Sequence, residues 1–222
     1  MLNFKEKLKG FTIIEVMVAL VVNLLMFAGL IVLFGKNIQQ YKTSTSTNKL
    51  DEELTNALSY MSGEISRAGY WANARNDIGT GQNNNPFMTT ATDITLSSTN
   101  DCIHFTYDMD SNGLLSNITS SNQDDRVGFR LKDAAIQARV PGAAFDCDAS
   151  ATEWENITDP TFTTITNLTF TPSYTTINTG TGSTGLVIRA IDISISGIMK
   201  NDSTVNKTVS QHVRIKNDKF IP

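Results

Sequence analysis

Residues 11–34 are apolar or glycine apart from Thr12, Glu15 and Asn23, the longest hydrophobic run in the chain. At about 1.5 Å per residue such a run makes a helix of roughly 36 Å, enough to cross a hydrocarbon core of about 30 Å with some tilt. The helical period continues beyond it. Ile38 and Tyr41 extend an apolar face, and after the Thr/Ser stretch at 43–47 the residues Leu50, Leu54, Leu58, Met61 and Ile65 recur every three or four positions. No proline precedes Pro86. The pattern predicts one helix over residues 11–68, bent or loosened near Gly35 and the Thr/Ser stretch. Its second half is amphipathic, with Asp51, Glu52, Asn56, Ser59, Glu64 and Arg67 on the wet side. Gly69 is placed to end it in a left-handed cap, with Tyr70 and Trp71 burying against the edge of a sheet.

After the helix the period falls to two. Residues 102–107 and 126–131 alternate as strands, and Lys132-Asp133 turns the second into a hairpin with residues 135–140. Residues 162–170 are rich in Thr and Ile. Ile191, Ile193 and Ile195 alternate with Asp192, Ser194 and Ser196, and Val209, Val213 and Ile215 answer them across a turn at Asn201-Asp202. Residues 73–100 and 173–185, rich in Asn, Thr, Gly and Ser without a period, read as loops, the first either a surface for partners or a mobile solvated segment. The predicted fold class is α+β, a long N-terminal helix with a membrane-spanning first half, packed on an antiparallel β-sheet.

Glu15 is the odd residue of the span. A carboxylate inside a bilayer costs about 2.5–3.5 kcal/mol on insertion scales, so it needs a partner or a proton. A cut after Gly10 would supply one, because the new α-amino group on Phe11 has the opposite sign at the same depth. Glu15 can then neutralise its own terminus or that of a neighbouring molecule, and the second choice implies assembly. Lys5, Lys7 and Lys9 against the single Glu6 make a positive-inside flank, so the bulk of the chain faces outward. An ordinary secretory signal has a shorter core and a small-residue site, which this chain lacks, and a plain signal anchor gives no reason for Gly-Phe before the span or Glu15 within it.

Those lysines followed by Gly10-Phe11-Thr12-Ile13-Ile14-Glu15-Val16 resemble the class III signal of type IV prepilins and type II secretion pseudopilins. The resemblance implies that prepilin peptidase cuts between Gly10 and Phe11 and methylates Phe11, and that Glu15 is the assembly carboxylate. The organisation it implies is a leader at 1–10, a transmembrane and assembly half-helix at 11–34, an amphipathic half-helix at 35–69, and a β-rich pilin head at 70–222.

Removing residues 1–10 takes away three lysines and one glutamate, leaving 15 of the 18 basic and 21 of the 22 acidic residues, a formal charge of −6. A mildly acidic chain with no basic cluster beyond residue 50 argues against nucleic acid as a partner. Cys102 and Cys147, in a domain facing an oxidising compartment, predict one disulfide, the alternative being two buried free thiols.

Further along, Arg67-Ala68-Gly69-Tyr70-Trp71, the paired segments Val127-Gly128-Phe129-Arg130-Leu131 and Ala135-Ile136-Gln137-Ala138-Arg139, Trp154-Glu155-Asn156-Ile157-Thr158-Asp159, and Val213-Arg214-Ile215-Lys216-Asn217-Asp218 are similar, in this order, to PilW-type minor pilins. Lys132-Asp133-Ala134 departs from the glycine-containing turn of that family. The resemblance implies a minor pilin acting in a priming or tip complex, with other minor and major pilins, prepilin peptidase and the inner-membrane assembly platform as partners. It implies an inner-membrane precursor with its head in the periplasm, and later a place in a surface pilus. The alternatives are a J-type pseudopilin of a type II secretion system, and a membrane-anchored binding or adhesin domain that never polymerises.

Asp108-Met109-Asp110-Ser111-Asn112-Gly113 matches the first half of a calcium loop, D-x-D-x-N-G, but Thr119 stands where a bidentate Glu closes such a loop. That failure favours a plain turn with positive φ at Asn112-Gly113. Asp108, Asp110 and Asn112 remain a candidate calcium set, with Asp124 or Asp125 placed to supply the missing carboxylate. No other cofactor is called for. His104 and His212 each fall inside a predicted strand with no nucleophile or zinc pair beside them, so no enzyme is expected.

Overall fold

A computed structural model describes residues 10–77, 84–116, 124–178 and 185–221. The leader lysines and Thr119 lie outside the described residues, as does part of each predicted loop. Helix α1 runs unbroken from Ile13 to Ile65, so Gly35 and the Thr/Ser stretch do not interrupt it. The Thr43 hydroxyl is satisfied within the helix, donating to the Gln39 carbonyl at 3.2 Å.

By its internal contacts the chain divides into Met1–Thr45 and Ser46–Pro222. In the first unit residues 10–44 are exposed throughout, including Phe27 at 64% and Phe34 at 68%. The apolar surface of residues 11–34, broken only by Thr12, Glu15 and Asn23, requires a second phase, lipid or other helices, to cover it. It is the one helix long and apolar enough to cross a membrane among the described residues, and it lies near the N-terminus.

The second unit holds the core. Among the described residues nine antiparallel strands form two sheets: β1 (Thr95–Leu96), β2 (Cys102–Thr106), β3 (Arg126–Lys132), β4 (Ala135–Arg139) and β5 (Trp154–Asn156) lie in that order in one. The other holds β6 (Thr163–Asn178), β7 (Gly185–Met199) and β8 (Asp202–Arg214), with β9 (Lys219–Ile221) pairing the start of β7. The apolar stripe predicted on the helix, Leu50, Leu54, Leu58, Met61 and Ile65, packs with Ile103, Phe105, Phe129 and Ile136 of the first sheet and Ile191, Ile193 and Ile195 of the second. Close approach is allowed where β7 carries Gly197, whose missing Cβ would stand 3.3 Å from a Leu54 methyl. Ser62 donates to Gln211 Oε1 at 2.9 Å, and the Tyr107 hydroxyl donates to Glu64 at 2.5 Å, so each sheet is also tied to the helix by a polar contact.

Gly69 caps the helix at φ +74°, as expected, and its amide turns to the Thr106 carbonyl at 2.8 Å. Of the two aromatics after it, Tyr70 is 40% exposed and Trp71 half-buried, with the indole donating to the Gly113 carbonyl at 2.9 Å. The expected burial of both against a sheet edge is therefore corrected: Tyr70 stays at the surface and Trp71 is tied to the loop after β2. The β3–β4 hairpin closes through Asp133 and Ala134, both at positive φ, which gives the I′ geometry without glycine. Lys200 and Asn201, one residue earlier than expected, make the β7–β8 turn, since Asp202 already pairs with Met199.

One loop expectation is overturned. Residues 173–178 continue β6, in register with β7 from Ser173↔Ala190 to Asn178↔Gly185. Tyr174 and Ile177 are both about half exposed, so this stretch has no buried face to impose an alternation. Of the 73–100 segment, residues 84–100 are irregular apart from β1, as expected, but they are anchored rather than solvated throughout, because Phe87 and Met88 are buried. Thr106 Oγ1 donates to the Thr92 carbonyl at 2.8 Å, and Asp93 pairs with both Arg189 and Lys219.

Candidate functional site

At the start of the span, Gly10 and Phe11 precede the first helical turn and are exposed, Phe11 at 87%. Glu15 is occupied within its own chain. Its Oε2 accepts from the Thr12 amide and from the Thr12 hydroxyl, each at 2.9 Å, while the Glu15 amide donates back to Thr12 Oγ1 at 3.3 Å. This is a reciprocal capping box, in which a side chain at the N-cap and one three residues on satisfy amides that a helix leaves open. The T-x-x-E spacing carried that signal in the sequence; reading Glu15 as a charge alone passes over it.

The Asp108 loop lies where three segments of the head meet. The Asp108 amide donates to the Tyr70 carbonyl at 2.9 Å, and Asp108 Oδ2 accepts from the Ala72 and Gly113 amides at 2.9 and 3.0 Å. Asp125, at the entry to β3, accepts from the Met109 amide on Oδ1 and the Ser116 amide on Oδ2, both at 2.8 Å. Oxygens of Asp108, Asp110 and Asp125 converge within 4.8 Å of one another. Burial pushes the Asp125 carboxyl up, and repulsion from Asp110 and Asp108 adds to this, against the pull of the Met109 and Ser116 amides. Asn112 stands outside this group: its Oδ1 accepts from the Leu114 amide and its Nδ2 donates to Asp110. The positive φ values fall on Ser111 and Gly113, so Asn112 does not take the left-handed position the sequence suggested.

Asp124 is committed elsewhere. It forms a 2.9 Å ion pair with Arg139, both side chains 1% exposed. This pair belongs to a polar layer on the outer face of the first sheet, where Arg130 donates to Gln137 at 2.8 Å and to the Cys147 carbonyl at 2.7 Å. Arg130 also stacks 4.3 Å from the buried Trp154 ring. The disulfide between Cys102 and Cys147 fixes the segment after β4 across this face. His104 sits here beside Phe145 and Trp154, its imidazole lowered to about 4 by burial first and then by Arg139, so it stays neutral near pH 7. His212 lies on the exposed side of β8, 2.7 Å from Asp192. The two histidines are thus held apart on different sheets. Replacing both cysteines by serine opens a cross-link between residues 45 apart and should cost about 3–4 kcal/mol. The shift in denaturation midpoint of the detergent-solubilised chain checks it.

A family described as prepilin peptidase-dependent protein B matches residues 43–215. No curated protein and no solved structure matches the chain.

Proposed function

The chain belongs to the prepilin peptidase-dependent protein B family, and from that premise we propose that it is a PilW-like minor pilin that takes part in type IV pilus assembly. The observation that carries this reading is a conjunction. The Gly10-Phe11-Thr12-Ile13-Ile14-Glu15 signal lies entirely outside the matched residues 43–215, so the processing signal and the head point to one family from separate parts of the chain. In this reading prepilin peptidase cuts after Gly10, the inner membrane holds residues 11–34 until assembly, and the periplasmic head then moves into a priming or tip complex with other pilins. The exposed apolar side chains of the span exchange lipid for neighbouring helices, and Glu15 sets each subunit against the next. The role is structural rather than enzymatic; the separation of the two histidines, His104 buried and neutral and His212 against Asp192, supports that.

Intact mass and amino-terminal sequencing of protein recovered from sheared surface filaments test it. The expected product begins at methylated Phe11. A chain that still begins at Met1 and is absent from filaments would leave the anchored binding domain. A cut chain found only with a secretion apparatus would leave the J-type pseudopilin, against which the Arg67-Ala68-Gly69-Tyr70-Trp71 stretch weighs.

A further inference from the structure

We propose that Asp108, Asp110 and Asp125 hold a calcium ion that fastens the segment after the helix to the ends of β2 and β3. Asp108 is 1% exposed and Asp125 fully buried, yet among the described residues neither they nor Asp110 takes part in an ion pair. Buried carboxylates are ordinarily paired with a cation or bound to a metal. The neighbouring Asp124 shows the first solution, with Arg139 in contact.

Asp108 supplies the sharpest observation. Its Oδ2 accepts two amide hydrogens, but Oδ1 is buried with no hydrogen-bond partner among the described residues. An acceptor left unpaired in a low-dielectric site is costly, the more so when it is charged. The Met109 and Ser116 amides hold Asp125, so its carboxylate is oriented without any cation having been supplied among the described residues.

The spacing suits the ion. Calcium binds oxygen at about 2.3–2.6 Å, so two of its ligands lie at most about 5 Å apart. The three carboxylates offer atoms within 4.8 Å. Asp110 is exposed and opens the site to water, which completes the shell. Magnesium keeps several of its waters and demands a tighter octahedron at about 2.0–2.1 Å, which two buried, amide-anchored carboxylates serve poorly. Three ligands come from two places in the sequence, with Asp125 in place of the missing twelfth residue of the loop. Asn112 stays a second-layer group that orients Asp110 through its side-chain amide at 2.8 Å.

The test is calorimetric titration of calcium into the chelator-treated full chain in detergent, alongside Asp110→Ala and Asp125→Asn. Asp110→Ala is the decisive variant, because its hydrogen bonds stay within the loop and the fold does not depend on them. One saturable site is expected, with Kd between about 10⁻⁵ and 10⁻³ M, weakened about tenfold or more in each variant. Magnesium should bind more weakly than calcium. No saturable binding below about 10 mM calcium, a smaller loss in Asp110→Ala, or magnesium binding as tightly as calcium would overturn the assignment.

Discussion

A chain carrying Glu15→Gln is expected to be cut after Gly10 like the wild type and yet to fall about tenfold or more in sheared surface filaments. The Thr12 contacts make Gln more informative than Ala. The glutamine amide oxygen can still accept from the Thr12 amide and hydroxyl, so the capping box that Glu15 makes at 2.9 Å survives the change. What disappears is the negative charge. A carboxylate carried into hydrocarbon at a cost of about 2.5–3.5 kcal/mol must recover that energy from an opposite charge, and the loss of even 1.4 kcal/mol of pairing lowers an association constant tenfold. Glu15→Ala removes both roles together, the charge and its half of the capping box. Quantitative immunoblotting of sheared and cell-bound fractions, with amino-terminal sequencing of the latter, distinguishes the cases. Wild-type levels of the Gln variant beside a depleted Ala variant would make Glu15 a cap and remove the charge from the assembly mechanism.

Much of the head was legible because its elements bury one face. The stripe from Leu50 to Ile65 and the Ile191, Ile193, Ile195 alternation mark surfaces packed on a single core, and period alone locates them. Where a segment buries both faces or neither, the period fails. Residues 173–178 bury neither, and their strand exists because β7 lies alongside. The strands β3 and β4 bury both, so Arg130, Gln137 and Arg139, which alternation assigns to solvent, lie in a covered polar layer. The Asp108 site was half legible for a related reason. Its loop is local and shows a motif, whereas Asp125 arrives from a strand whose placement depends on pairing with β2. Local spacing likewise contains the Thr12 and Glu15 cap in full, since both partners lie within one turn.

The polar layer yields the largest stability effect. Arg139→Met is expected to destabilise the head by about 3–5 kcal/mol, because it leaves the Asp124 carboxylate buried without its cation. Arg139 does more than pair with Asp124. Its guanidinium donates to the Arg126 carbonyl at 2.7 Å, to the Ala144 carbonyl at 3.1 Å and to the Ala143 carbonyl, so it joins β3 to the strap after β4. Asp124 in turn accepts from the Gly142 amide at 2.5 Å and the Arg126 amide at 3.1 Å. Removing one member strands the other, whereas removing both charges lifts the electrostatic penalty and leaves backbone groups that water can reach at the strap. The double variant Arg139→Met with Asp124→Leu should therefore be more stable than Arg139→Met alone, and by more than about 1 kcal/mol, since residues in one network do not act additively. Denaturant unfolding followed by the fluorescence of Trp154, which stacks on Arg130 in the same layer, reads both. Equal stability of the single and double variants would mean that the backbone contacts of Arg139, and not its charge, hold the strap to the sheet.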